Sequence, residues 1–239
     1  MEHLNNIIWP KSKCEAIGLQ EKMANSVDLL ANLHDVRLVA AVDTAYGKNA
    51  DVVYASAVVV SFPDIQEVER TFQYDDVTFP YVPGLFFYRE GPTILKVLSK
   101  LEYNPDVIIV HGHGIAHPRR CGLASQVGII TGIPTIGCAR KLLCGHHRTV
   151  APAKGSSEPI TLKSQKVGLA YRSKENVKPI FVSPGHKCGL DQARDIVIRS
   201  IRGFRLPEPL RLAHLFANKL RRRIEGKKNS KHKSESEVV

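Results

Sequence analysis

The sequence predicts an α/β fold in which a mixed β-sheet is flanked by helices on both faces. Two β-rich runs separated by a short turn-like segment come first, and short apolar strands alternating with helical segments follow from PDVIIV onward. Strands joined by tight turns pair antiparallel and strands joined through helices pair parallel, so the two halves together require a mixed sheet. A chain of 239 residues with 43% hydrophobic content is long enough to enclose a sizeable core. It is read as one domain over residues 1–225, followed by a basic, disordered tail over residues 226–239.

An amphipathic helix is expected near residues 13–33. VRLVAAVD, continuing into Thr44, and DVVYASAVVVSF have the composition of strands, and YGKNA between them reads as a hairpin turn. A third strand is expected at EVERTFQYDD. The loop TFPYVPG, with its two prolines, breaks the pattern before a helix from Glu90 to about Leu101. PDVIIV then reads as a short buried strand, CGLASQVGIIT as a helix, IPTIGCA as another buried strand and ARKLLCG as a short helix ending at glycine. KVGLAYRS and VKPIFVS are further strands, and helices are expected at residues 190–201 and 210–224. Antiparallel strands first and strand–helix–strand units afterwards suit a ribonuclease H-like core.

Charge and cysteine usage narrow the function classes. A balance of 34 Lys and Arg against 23 Asp and Glu gives a net charge of +11, which favours a polyanionic partner because neutralised phosphates release counterions. Much of the excess lies in KLRRRIEGKKNSKHK, which reads equally well as a solvated helix end and a disordered terminus. Cys14, Cys121, Cys138, Cys144 and Cys188 show no paired short spacing, which argues against a zinc knuckle or a disulfide framework. MEHLNNIIWPKSK is too polar for a signal peptide, and no apolar run reaches the ~18 residues of a membrane span. The expectation is a soluble, cytoplasmic monomer without a membrane partner.

Asp43 ends the apolar run LVAAVD, where its carboxylate either caps the following turn or enters a site. Glu90 opens a predicted helix, where a glutamate commonly serves only the helix dipole. Topology raises both, since the ends of neighbouring strands converge at one edge of such a sheet and would bring Asp43, Glu90 and His111 together. Clustered oxygen ligands bind Mg²⁺, which activates water and stabilises a leaving oxygen in phosphodiester hydrolysis. In IIVHGHGIAHPRRCG, Gly112 and Gly114 let the backbone approach a flat base closely. His117, Arg119 and Arg120 follow just before a helix N-terminus, so a proton-active side chain and two phosphate-binding forks stand beside an anion site. PYVPG is either a rigid turn or a stiff wedge, its prolines (Pro80 and Pro83) fixing the backbone while Tyr81 stacks in the gap left by an extruded base.

Taken together these segments resemble the endonuclease V family, the inosine-directed nucleases of DNA repair. The matching pieces are AAVDTAY, TFPYVPGLFFYREGP, HGHGIAHPRRCGLAS, IPTIGCARKLLCG, PIFVSPGH and RLPEPLRLAH, in the family's order and spacing over roughly residues 37–220. The resemblance implies a ribonuclease H-like fold and Mg²⁺- or Mn²⁺-dependent hydrolysis of the second phosphodiester bond 3′ to a deaminated adenine. The products would carry 3′-hydroxyl and 5′-phosphate ends, and inosine-containing DNA would be the partner, with RNA open as a second substrate. Asp43 and Glu90 match the family's metal-site carboxylates and Tyr81 its wedge. Gly84, Leu85, Gly112, Gly114, Leu123 and Gly137 match the pocket for a flipped hypoxanthine. His117 matches the histidine of the HPR loop, which with Arg119 would handle the scissile strand's phosphates, and His214 matches a histidine supporting the metal from its outer shell.

Two positions depart from the family's pattern. Arg140 stands where a lysine usually follows PTIGxA; it keeps the charge but presents a planar fork that does not shed its proton. His111 stands where the family has an aspartate (DGxGxxHPR). Aspartate supplies the anionic oxygen that Mg²⁺ prefers, whereas imidazole is neutral, softer and better suited to Mn²⁺, Zn²⁺ or other transition ions. Three readings of His111 stay open: an atypical third metal ligand beside Asp43 and Glu90, the mark of an inosine-binding protein with weakened or lost cleavage, or a tolerated change in an ordinary enzyme. His113 is compatible with the family's pattern.

Overall fold

The computed structural model describes residue 7, residues 9–31 and residues 33–236, with residues 227–236 as backbone alone. Strands β1 (Leu38–Tyr46), β2 (Val52–Ser61) and β3 (Glu67–Asp76) form an antiparallel meander. Strands β4 (Val107–Val110) and β5 (Thr135–Ala139) extend it in parallel with β1. Strands β6 (Ser157–Leu162), β7 (Gln165–Tyr171) and β8 (Ile180–His186) complete one eight-stranded sheet in the order β3-β2-β1-β4-β5-β8-β7-β6. This is the mixed, ribonuclease H-like sheet expected from the order of the segments.

Successive side chains of β1 point to opposite faces, and the two faces have different covers. Ala40 and Val42 pack with α1 (Lys13–Ala24), α2 (Phe86–Ser99) and α3 (Leu123–Thr131). Val39 and Ala41 pack beneath α4 (Leu190–Arg199) and α5 (Glu208–Ser236). Burying both faces explains why β1 and β4 read as continuous apolar runs, each fully buried valine or isoleucine contributing about 1.5–3 kcal/mol relative to exposure.

Several boundaries differ from the sequence expectation for local reasons. The first helix ends at Ala24 rather than near residue 33, because Asp28 is drawn into other contacts. Its side chain accepts from the Leu30 N–H, its N–H donates to His186 Nδ1 and its carbonyl accepts from the Lys187 N–H. Helix α2 starts at Phe86, four residues before the expected Glu90, because Phe87 and Tyr88 of the added turn are core residues. ARKLLCG forms no helix: the Arg140 carbonyl accepts from Arg205 and the Lys141 carbonyl from His113, which takes those acceptors away from a helical ladder. Strand β6 was not expected, since Pro159 breaks its pattern, and it lies at the sheet's edge where proline is tolerated. Helix α5 continues past residue 224 to Ser236, so the backbone of the expected tail is helical to that point, while residues 237–239 lie outside the described residues.

Two glycines with opposite surroundings test this packing. A Cβ at Gly114 would lie 1.8 Å from the Pro184 carbonyl oxygen, whereas one at Gly18 inside α1 would meet nothing within 4 Å. Gly114→Ala should therefore cost upward of about 3 kcal/mol in urea unfolding, and Gly18→Ala should add about 0.5–1 kcal/mol. Equal effects at the two positions would contradict the close approach of the 112–114 loop to β8.

Candidate active site

The register of β1 and β4 sets the centre of the site. Val42 pairs with Val110, and the His111 N–H donates to the Val42 carbonyl at 3.0 Å. The next residues, Asp43 and His111, fall on the face covered by α5. His214, in the second turn of α5, reaches the same carboxylate from above. His111 Nδ1 lies 2.6 Å from Asp43 Oδ1, and His214 Nδ1 lies 2.6 Å from Oδ2. The Thr44 N–H also donates to Oδ1, so a carboxylate only 4% exposed has both oxygens engaged. Burial opposes ionisation, but the hydrogen bonds and charges of the two histidines outweigh it and hold Asp43 below the usual carboxylate range.

Asp43, His111 and His214 offer ligand atoms that all lie within 4.8 Å of one another. One carboxylate with two imidazoles is a donor set that fits a divalent cation and leans toward the transition series. Glu90 is not a member of this cluster. It lies in the second turn of α2 and is buried, so the helix-dipole reading of Glu90 does not hold. Its neighbours are Thr44 and Tyr46, which β1 directs to the opposite face from Asp43. The Tyr46 hydroxyl donates to Glu90 Oε1 at 2.9 Å, and burial reinforced by Glu90 keeps that phenol protonated. Burial raises the Glu90 carboxyl above its ordinary value; hydrogen bonds from Tyr46 and Thr44 offset this only in part, and the nearby Asp43 charge adds to it.

Asp43, Glu90 and His111 all line a cavity of about 390 Å³, shared with Gly84, Gly112, Leu123, Arg140 and Lys141. The residues expected to form a base pocket divide into two groups. Gly84, Gly112 and Leu123 line the cavity, and a Cβ at Gly112 would come within 3.2 Å of Leu123. Leu85 is in the core, and Gly114 and Gly137 are where backbones touch, a Cβ at Gly137 falling 2.4 Å from the Gly114 nitrogen. These three support the pocket from behind. Tyr81 is 63% exposed with its ring centroid 5.3 Å from that of Phe86, and Pro83 beside it is exposed too.

His117 and Arg119 are turned inward. His117 is 2% exposed, donates from Nε2 to the Gly84 carbonyl at 3.0 Å and accepts at Nδ1 from the Arg119 N–H. Burial, with the Arg119 charge, pushes its imidazole down to about 4, so it is neutral near pH 7. Arg119 Nη2 donates to the same carbonyl at 3.0 Å. Both side chains thus brace the HPR turn against the PYVPG loop. His117 borders the cavity as a neutral group, Arg119 does not line it, and the cations that do are Arg140 and Lys141. Sequence reasoning missed Tyr46 and Thr44, which the period-2 alternation after Asp43 could have placed, and Gln20, whose helix lies outside the motifs.

Comparison with known proteins agrees with the resemblance read from the motifs. A family model described as Endonuclease V matches residues 21–215. Endonuclease V of Gloeobacter violaceus is 41% identical over 217 residues, covering 90% of this chain and 88% of the relative. That of Trichormus variabilis is 41% identical over 211 residues, covering 88% and 96%. Among solved structures, the endonuclease V of Streptomyces avermitilis superposes with a TM-score of 0.86 at 36% identity, over 91% of this chain and 96% of that one. Ciona intestinalis endonuclease V, in complex with a 24mer DNA containing an inosine followed by a ribo-adenosine, gives 0.76 at 27% identity over 88% and 98%.

The buried, neutral His117 has a consequence for acid stability. Its folded-state value of about 4 lies below the ordinary 6.5, so between those pH values the unfolded chain binds more protons and stability falls as pH drops through the window. His117→Gln, which keeps a donor for the Gly84 carbonyl, should show a smaller loss of Tm across the same window. Parallel pH profiles for the two proteins would contradict the assignment.

Proposed function

The chain belongs to the endonuclease V family, and on that basis we propose that it is a DNA repair endonuclease that flips deoxyinosine into the cavity and cuts the second phosphodiester bond on its 3′ side. The observation that carries the reading is that one cavity joins a cluster of metal-ligating type to a glycine-walled recess edged with cations. The inosine-containing DNA held by the Ciona intestinalis relative supports the substrate class. Asp43, His111 and His214 would hold a divalent cation, Mn²⁺ in preference to Mg²⁺ given the two nitrogens. A cation held there would supply activation of a water and charge neutralisation at the leaving oxygen, the chemistry that phosphodiester hydrolysis to 5′-phosphate ends requires.

The chain's own residues supply recognition and orientation. Asp43 fixes the orientation of both imidazoles through Nδ1. Gly84 and Gly112 leave room for a planar base against Leu123, and the exposed Tyr81 supplies a face to stack in the vacated position. Arg140 and Lys141 offer charge to the backbone phosphates. No helix among the described residues is long and apolar enough to cross a membrane. The proposal is for a cytoplasmic monomer acting on inosine-containing DNA, with RNA as the alternative polymer.

A second reading, an inosine-binding protein with weakened cleavage, draws on the same centre. Both histidines engage Asp43 through Nδ1, so the cluster is satisfied by internal hydrogen bonds, and ligation through Nδ1 would require their protons to leave. Cleavage of an end-labelled duplex carrying one deoxyinosine separates the two readings. The nuclease reading predicts cutting that is faster in Mn²⁺ than in Mg²⁺ by about tenfold, absent in Asp43→Ala and shifted toward Mg²⁺ in His111→Asp. Inosine-selective binding with no cutting in either ion, and cutting restored by His111→Asp, would establish the binder instead.

A further inference from the structure

Gln20 lies in α1 and is 1% exposed. A buried primary amide is costly unless its donors and its acceptor are matched. Gln20 Nε2 donates to the Gly84 carbonyl at 3.1 Å and to the Cys121 carbonyl at 2.6 Å, and Oε1 accepts from Arg119 Nε at 2.5 Å. With His117 Nε2 and Arg119 Nη2, the Gly84 carbonyl collects three donors from two separate segments of the chain. Gly84 closes the PYVPG loop with φ at +79°, and Cys121 ends the HPRR turn two residues before α3. The Gln20 amide therefore ties together both loops that border the cavity, and it also lines that cavity.

We infer that Gln20 is a positioning residue for base recognition. It holds the loop of Tyr81 to Gly84 at a fixed distance from the turn of residues 117–122, and so sets the width of the recess into which the base would turn. The identity of the ligand rests on the proposed function; the anchoring itself rests on the hydrogen bonds alone. Leucine at this position fills a similar volume but leaves the Arg119 guanidinium without its Oε1 partner and the Cys121 carbonyl with only a 3.4 Å contact from Gln126. An ionised glutamate would turn an acceptor toward two carbonyl oxygens.

The test compares the full-length protein with Gln20→Leu, Gln20→Glu and Ile180→Val, the last a truncation in the core of β8 chosen as a control for general destabilisation. Amide hydrogen exchange is measured without nucleic acid. Affinity is measured in chelator for a deoxyinosine duplex and for the same duplex without the lesion, with 2-aminopurine beside the lesion to report unstacking. Exchange should quicken by about tenfold in residues 81–84 and 117–122 of both Gln20 variants. Their preference for the inosine duplex should fall by about tenfold and the unstacking signal should shrink, while affinity for the undamaged duplex stays within about twofold. Ile180→Val should keep the preference. Quickened exchange with an unchanged preference would overturn the positioning role, as would an equal loss of preference in Ile180→Val. Absence of any inosine preference in the unaltered protein would instead overturn the proposed function, leaving exchange to decide the anchoring.

Discussion

One carboxylate shared between two imidazoles fixes the geometry of this site. Asp43 sits almost fully buried at a point where the β1–β4 register brings His111 alongside and α5 lays His214 across the top. The helix is held there by a neighbouring contact: Ser56, paired with Asp43 across β1 and β2, donates to the Ala213 carbonyl at 2.7 Å. The residue before His214 is thus pinned to the sheet. A charge buried this deeply persists only while its partners remain, since removing one side of a buried pair typically costs about 3–5 kcal/mol. Stability and site geometry therefore rest on the same three side chains.

The alternation of β1 then divides the site between the two faces of the sheet. Asp43 works beneath α5, while Thr44 and Tyr46 turn toward α2 and hold Glu90. The cavity spans the place where these faces meet beyond the end of β4. Its walls depend on glycine for two distinct reasons. A Cβ at Gly84 would press on the Arg119 and His117 side chains and one at Gly112 on Leu123, whereas Gly114 and Gly137 let the loop after β4 press against β5 and β8.

Much of this was legible in the sequence, and the failures have physical causes. The β1–β2 hairpin, β3, and the β4–α3–β5 unit follow from alternation and apolar runs that tertiary packing reinforces. Asp43 and His111 stand where those runs stop, which is what marks them as candidates, whereas Gly84 lies in a proline-rich loop and enters only through the family resemblance. His214 enters only through the family resemblance, since a histidine seven residues into a helix gives no local sign of which strand the helix will cover. The basic character of His117 and Arg119 is visible in the sequence and points to phosphate, while the Gly84 carbonyl that engages both is not. Helix α1 stops short of the length its sequence suggests because Asp28 is held by His186 at the end of β8, a contact more than 150 residues away.

Calorimetric titration of the protein with Mn²⁺ and with Mg²⁺, repeated in His111→Ala and His214→Ala, addresses the shared carboxylate at its core. One site is expected, binding Mn²⁺ about tenfold or more tighter than Mg²⁺, with Mn²⁺ affinity lost or sharply reduced in each variant. Equal affinity for the two ions, together with unchanged Mn²⁺ binding in His111→Ala and His214→Ala, would contradict a site built on the two imidazoles.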